Sequence, residues 1–188
     1  MGDASSDQTQ PFCSFEAVIV PDQNTACVCD TVLKDVDGIA HVAGDVSFGP
    51  DPTKVITPSI KALRGLLEAA SKEPSVKRFV LTSSDQAASN RSTTREIQIN
   101  GEAWNEEAIK AAWRPPPYRA ERGWDTYSAL KAQVEKEMWK FSQEKKPSFV
   151  VNSVLPTYKI GAIFDEQQAG SAAKWLLDFY KIHQRMVS

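Results

Sequence analysis

Histidine and cysteine are scarce in this chain: two histidines, His41 and His183, and three cysteines, Cys13, Cys27 and Cys29. The histidines stand far apart. An odd cysteine count with one C-x-C pair is neither a disulfide framework nor a zinc-binding spacing, so no metal site is expected. Long apolar runs are also missing; none approaches the roughly 18 residues of a membrane span. The opening MGDASSDQTQPF is polar. It has neither the apolar stretch of a secretory signal nor the arginine-rich amphipathic character of a transit peptide. A cytoplasmic protein with no membrane partner is expected. Neither sign of charge dominates: 22 Lys and Arg against 24 Asp and Glu leave a net −2. That balance gives no footprint for nucleic acid.

What is present suits one soluble domain. The 188 residues carry 41% hydrophobic and 24% charged side chains, enough for a single core. Residues 1–14, rich in Ser, Asp, Gln and Gly, read as a disordered tail, and residues 15–188 as the folded domain. FEAVIV (15–20), GIAHVAG (38–44), VKRFVLTS (76–83) and PSFVVNSVLP (147–156) read as four strands. Helices are predicted over 25–36, 53–71, 102–113, 125–145 and 172–184 from apolar residues at helical spacing. Pro58, if inside its helix, removes a backbone donor and kinks the first turns. Strands written as continuous apolar runs, alternating with helices, argue a parallel sheet in an α/β layered fold.

In open α/β sheets, ligands bind beyond the carboxyl ends of the strands. Asp22, the loop from Gly44 to Phe48 and the hydroxyl run Thr82-Ser83-Ser84 all fall there. Tyr127 and Lys131 stand at i and i+4, on one helix face. A free phenol ionises near pH 10, and an ammonium held beside one favours its charged form. A serine hydroxyl nearby can hold a carbonyl oxygen. Together they make a proton donor for a carbonyl that receives a hydride. Taken alone, Y-x-x-x-K is a weak signal, and tyrosine as a helix anchor with a solvated lysine is the plainer reading.

Longer matches carry more. VDGIAHVAGDVSF, EPSVKRFVLTSS, WNEEAIKAAWRPPPYRAERGWDTYSALKAQVEKEMWKF and KPSFVVNSVLP resemble the extended short-chain dehydrogenase/reductase family. The likeness is to the fungal aldehyde and ketone reductases near dihydroflavonol and cinnamoyl-CoA reductases. It implies a Rossmann-like parallel sheet with flanking helices. It also implies an NAD(P)H-dependent reductase of a small-molecule aldehyde or ketone, in fungal secondary metabolism, with NADPH the family's lean and NAD the other choice. By resemblance Ser84 is the active-site serine, with Ser83 taking that place if the alignment slips by one. Tyr127 is the general acid. Lys131 activates it and holds the nicotinamide ribose. Asp22 meets the adenine, Ala43 and Gly44 run along the cofactor, and Pro156 stands near the carboxamide.

The departures from the family pattern are specific. No G-x-x-G-x-x-G turn, the usual pyrophosphate seat, occurs in the sequence. The first strand matches the family's third, and most of the substrate domain has no counterpart, so the expected sheet is a truncated one. Pairing FEAVIV directly with GIAHVA would repair it but leave one sheet face short of helices, which suggests a homodimer or a complementing chain. Thr157-Tyr158-Lys159-Ile160-Gly161 also differs from the family's Asn- and Phe-rich stretch. Two other readings therefore stand beside the reductase. One is a cofactor-independent cyclase, isomerase or dehydratase that uses the same proton-transfer groups. The other is an inactive fragment or subunit that needs a partner. His41 reads as a core histidine, Trp139 and Trp175 as packing residues, and Trp124 and Tyr118 as candidates for a pocket wall.

Overall fold

A computed structural model describes residues 15–20, 22, 28–89, 96, 98–159, 161, 174 and 176–181. The tail over 1–14, the start of the 25–36 helix, Trp175 and both ends of the 172–184 helix lie outside the described residues. Among the described residues, three strands form a parallel sheet in the order β1 (Gly38–His41), β2 (Arg78–Thr82), β3 (Val150–Val154). Ile39 stands opposite Phe79, and Phe79 opposite Val151. Between β1 and β2 runs α1 (Pro52–Lys72); between β2 and β3 run α2 (Glu106–Ala112) and α3 (Gly123–Lys145). This is the α/β, Rossmann-like layering read from the sequence.

Local chemistry explains the helix ends. Asp51 caps α1, its Oδ1 accepting from the Thr53 backbone N at 3.0 Å and from Thr53 Oγ1 at 2.7 Å. Pro52 at the first helical position has no N–H to lose. Pro58 does lie inside α1. Asn105 caps α2 by accepting from the Ala108 N–H at 3.0 Å. Helix α2 is shorter than the predicted span, because Ala103 and Trp104 are still in the approach to that cap. Helix α3 ends at Lys146, whose φ of 46° closes it in the left-handed conformation.

Alternation along the strands decides which face is core. Phe79, Leu81 and Val151 point toward α1 and α3 and are buried with Leu63, Leu67, Ala70, Met138, Phe141 and Phe149. Each large apolar side chain so buried contributes about 1.5–3 kcal/mol. The alternate set, Arg78, Val150, Asn152 and Val154, faces outward, with Val150 and Val154 55% and 54% exposed.

Two expectations need correction. Residues 15–20 form no strand and do not pair with β1; Phe15 and Ile19 are 92% and 90% exposed. The apolar run suggested a strand, but a strand needs a ladder, and β1 is only four residues long. Residues 28–35 form turns, not helix. Leu33 N donates to Cys29 O at 3.1 Å, one helical bond that anchors Leu33 in the core, and Asp35 then turns left-handed at φ 61°.

Candidate active site

The three strands end on one side, and hydrogen bonding continues past β2 into the hydroxyl run. Ser83 N donates to Val154 O at 2.9 Å, and Asp85 N donates to Pro156 O at 3.2 Å. Pro156 is thereby fixed beside the Ser83–Asp85 segment. Beyond β1 the chain passes through Ala43 and Gly44 toward Phe48, and α3 crosses the strand ends with Lys131.

A cavity of about 560 Å³ opens there. Val20, Asp22, Ala43 and Gly44 line it, with His41, Ser83 and Lys131. Four of the seven residues singled out from the sequence thus share one cavity: Asp22, Ala43, Gly44 and Lys131. Ser84, Tyr127 and Pro156 stand outside its wall.

The two serines differ. Ser84 is buried and its hydroxyl is engaged: Oγ accepts from the Gln86 N–H at 3.3 Å and donates to Asp85 Oδ1 at 3.2 Å. It caps the short 3-10 turn over Asp85–Ala87. Ser83, also buried, lines the cavity, and its Oγ has no hydrogen-bond partner among the described residues. A buried hydroxyl with no partner is costly, and the residue that carries this one lines the cavity.

Lys131 Nζ donates to Thr82 O at 3.3 Å and stands 5.9 Å from the centroid of the Tyr127 ring. A Cβ at position 44 would lie 3.3 Å from that ammonium, so Gly44 gives it room. Burial holds the Lys131 pKa below its ordinary value, and the charge of Lys159 adds repulsion. Burial also holds the His41 pKa down, with Lys131 as the second cause. His41 is half-buried with its ring 6.3 Å from Phe79, so it is both a core neighbour and a cavity wall.

Sequence reasoning missed an aromatic trio. Phe48 stacks on Trp124 at 5.3 Å with rings nearly parallel, and lies 4.9 Å from the Tyr127 ring. Its signal was present: Phe48 ends the loop that begins at Gly44, and Trp124 precedes Tyr127 by three residues on the same helix. Trp124 is not a wall of the cavity described above, whereas Tyr118 lines a separate cavity of about 430 Å³ with Asp45, Ser47 and Lys54.

A parallel sheet whose strand ends carry this cavity is a Rossmann-like nucleotide-binding arrangement. Residues 27–175 match the NAD-binding family described as Male sterility protein. The chain belongs to that family, within the epimerase/dehydratase and short-chain reductase superfamily. It is 85% identical over 171 residues to the NAD-dependent epimerase/dehydratase terH of Aspergillus terreus, covering 91% of this chain and 50% of that protein. To aldehyde reductase 2 of Sporidiobolus salmonicolor it is 39% identical, covering 88% of this chain and 49% of that one. Its fold matches Gre2 of Candida albicans in complex with NADPH at a TM-score of 0.66, with 22% identity over 81% of this chain and 46% of that one. The chain spans about half the length of these relatives.

The cavity fits one end of a nicotinamide cofactor. An ammonium, an imidazole and an unpartnered buried hydroxyl face it, suited to ribose hydroxyls and a carboxamide, and its volume lies in the range of about 300–1,000 Å³ for ligand pockets. No described residue forms a glycine-rich turn for the pyrophosphate.

Proposed function

We propose that this chain reduces an aldehyde or ketone with NADPH, or with NADH, in fungal secondary metabolism. The observation that carries the reading is the placement of Lys131: its ammonium stands 5.9 Å from the Tyr127 ring and in the wall of the cavity that Ser83, Gly44 and Asp22 share. Tyr127 gives the proton to the carbonyl oxygen. Lys131 stabilises the negative charge left on the phenolic oxygen and holds the ribose hydroxyls. The hydroxyl that orients the carbonyl comes from Ser84 by resemblance or from Ser83 by its open hydrogen-bonding capacity. Asp22, Ala43 and Gly44 hold the adenosine and backbone side of the cofactor, and Pro156 borders the carboxamide. A bound nicotinamide supplies the hydride, so that hydride on carbon and proton on oxygen give the alcohol.

A homodimer or complementing chain over the outward sheet face belongs to the same proposal. Its support is Val150 and Val154, apolar and more than half exposed. Sedimentation as a monomer at all concentrations would remove that part.

The test is calorimetric titration of the chain with NADPH, with Lys131→Ala as control. Micromolar binding lost in the variant supports the reading; no binding at millimolar cofactor overturns it. With an aldehyde substrate, Tyr127→Phe is expected to lower turnover by about 10²–10⁴-fold, the usual worth of a placed proton donor.

A further inference from the structure

Phe48 has a backbone that its side chain does not favour. Its φ of 54° lies in the left-handed region, where a bulky L-residue is an outlier. Such outliers persist only when their surroundings fix them, and they gather at functional sites. The surroundings here are specific. Ser47 N donates to Asp45 Oδ1 at 2.7 Å, and Gly49 N donates to Ser47 Oγ at 3.2 Å. Thr126 Oγ1 reaches Pro50 O at 3.4 Å. The Phe48 carbonyl sits where a side chain at position 123 would be: a Cβ there would lie 2.2 Å from the Phe48 oxygen.

Core packing does not account for the conformation. Neither buried cluster among the described residues contains Phe48, Trp124 or Tyr127, and Trp124 is 40% exposed. What the conformation achieves is local. It lays the Phe48 ring flat on Trp124 and 4.9 Å from Tyr127. The same loop passes Lys131 at its other end, where a Cβ on Gly44 would lie 3.3 Å from the ammonium. One loop of the chain therefore runs past both members of the Tyr127–Lys131 pair and packs its Phe48 ring on the first of them.

We propose that Phe48 is a positioning residue for Tyr127: its left-handed conformation clamps the ring of Tyr127 against the first turn of α3 through the stack with Trp124. The inference rests on the reading of Tyr127 as proton donor, but its test does not depend on turnover alone. With ¹³C-labelled tyrosine, the Tyr127 ring signal is identified as the one missing in Tyr127→Phe. In Phe48→Leu that signal is expected to broaden or shift, and in Phe48→Tyr, which keeps a ring, to return. In parallel, kcat with an aldehyde substrate is expected to fall about 10- to 100-fold in Phe48→Leu, the scale of a displaced catalytic group. KM should hold within about twofold, and Phe48→Tyr should recover kcat. Trp124→Leu, which removes the stacking partner at a part-exposed position, should reproduce the loosened signal if Phe48→Leu fails to fold.

An unchanged Tyr127 signal in the folded variants overturns the proposal. Loss of the fold in both Phe48→Leu and Trp124→Leu also overturns it, because the trio would then serve stability. Full turnover by Tyr127→Phe would instead sink the reductase reading, while the ring signal would still report on the clamp.

Discussion

Lys131 Nζ stands 5.9 Å from the ring centroid of Tyr127, four residues earlier on the same helix, and its one hydrogen bond among the described groups is to Thr82 O. An ammonium this poorly compensated is not placed for stability. Burial disfavours its charge, and the neighbouring Lys159 disfavours it further. Such sites trade stability for a charge held where chemistry needs it.

Lys131→Met follows from that trade. Methionine has similar length and no charge, so the melting temperature should stay level or rise. NADPH affinity should fall at least about tenfold, the worth of roughly one charge-assisted hydrogen bond. Thermal denaturation and calorimetry on the same preparation check it. A lower melting temperature would show that the ammonium stabilises the fold.

Ser83 and Ser84 should part company on alanine substitution. Ser84 Oγ caps the 3-10 turn, so Ser84→Ala should cost about 0.5–2 kcal/mol, the usual worth of a cap. Ser83 Oγ has no partner among the described residues. Ser83→Ala removes a buried hydroxyl that no described group partners, so its stability should hold or improve, while kcat/KM for a carbonyl substrate should drop. Melting temperature and kcat/KM of the two variants separate the roles. Loss of stability in Ser83→Ala with unchanged kcat/KM would contradict the assignment of Ser83 as a ligand-facing group.

Much of this was legible in the sequence, for identifiable reasons. Apolar, β-branched runs bounded by turn residues placed all three described strands of the sheet, although their burial alternates and one face is left outward. The i, i+4 spacing put Tyr127 and Lys131 on one face without any knowledge of the sheet. FEAVIV misled, because an apolar run states a preference and not a partner. The difference between Ser83 and Ser84 was not legible: adjacent residues at a strand end point different ways, and only the turn at Asp85 decides which hydroxyl is used up as a cap. Phe48 was hidden for another reason. Nothing in its residue type announces a left-handed backbone; the signal lies 75 residues away, in the glycine at 123 that lets the Phe48 carbonyl in.

That contact makes Gly123→Ala a sharp test of the loop's docking. The added Cβ would stand 2.2 Å from the Phe48 oxygen, which is backbone and cannot swing aside. Overpacking of this kind costs about 1–3 kcal/mol, or roughly 2–12 °C in melting temperature at 2–4 °C per kcal/mol for this chain length. Alanine is otherwise the better helix former, so a neutral or stabilising result would show that the loop moves away freely. The variant should also expose Trp124 further by removing its stacked neighbour, read as a red shift in tryptophan emission.

The pH dependence of the site has a defined sign. The Lys131 pKa lies below the ordinary lysine value of 10.5, through burial first and Lys159 second. Between the lowered value and 10.5 the unfolded chain therefore holds more protons than the folded one, and this group makes stability climb with pH through that window. Function runs the other way. The ammonium disappears as pH rises through the lowered value, so NADPH affinity should fall on the alkaline side earlier than an ordinary lysine would allow. Lys159→Gln removes the repulsion and leaves the burial. Its alkaline limb should move upward, yet stop short of 10.5, because the larger cause remains. Dissociation constants for NADPH measured across pH for both proteins decide the matter. No movement would mean that Lys159 does not act on Lys131. Movement all the way to the ordinary value would mean that charge repulsion, rather than burial, governs the ammonium at the centre of the site.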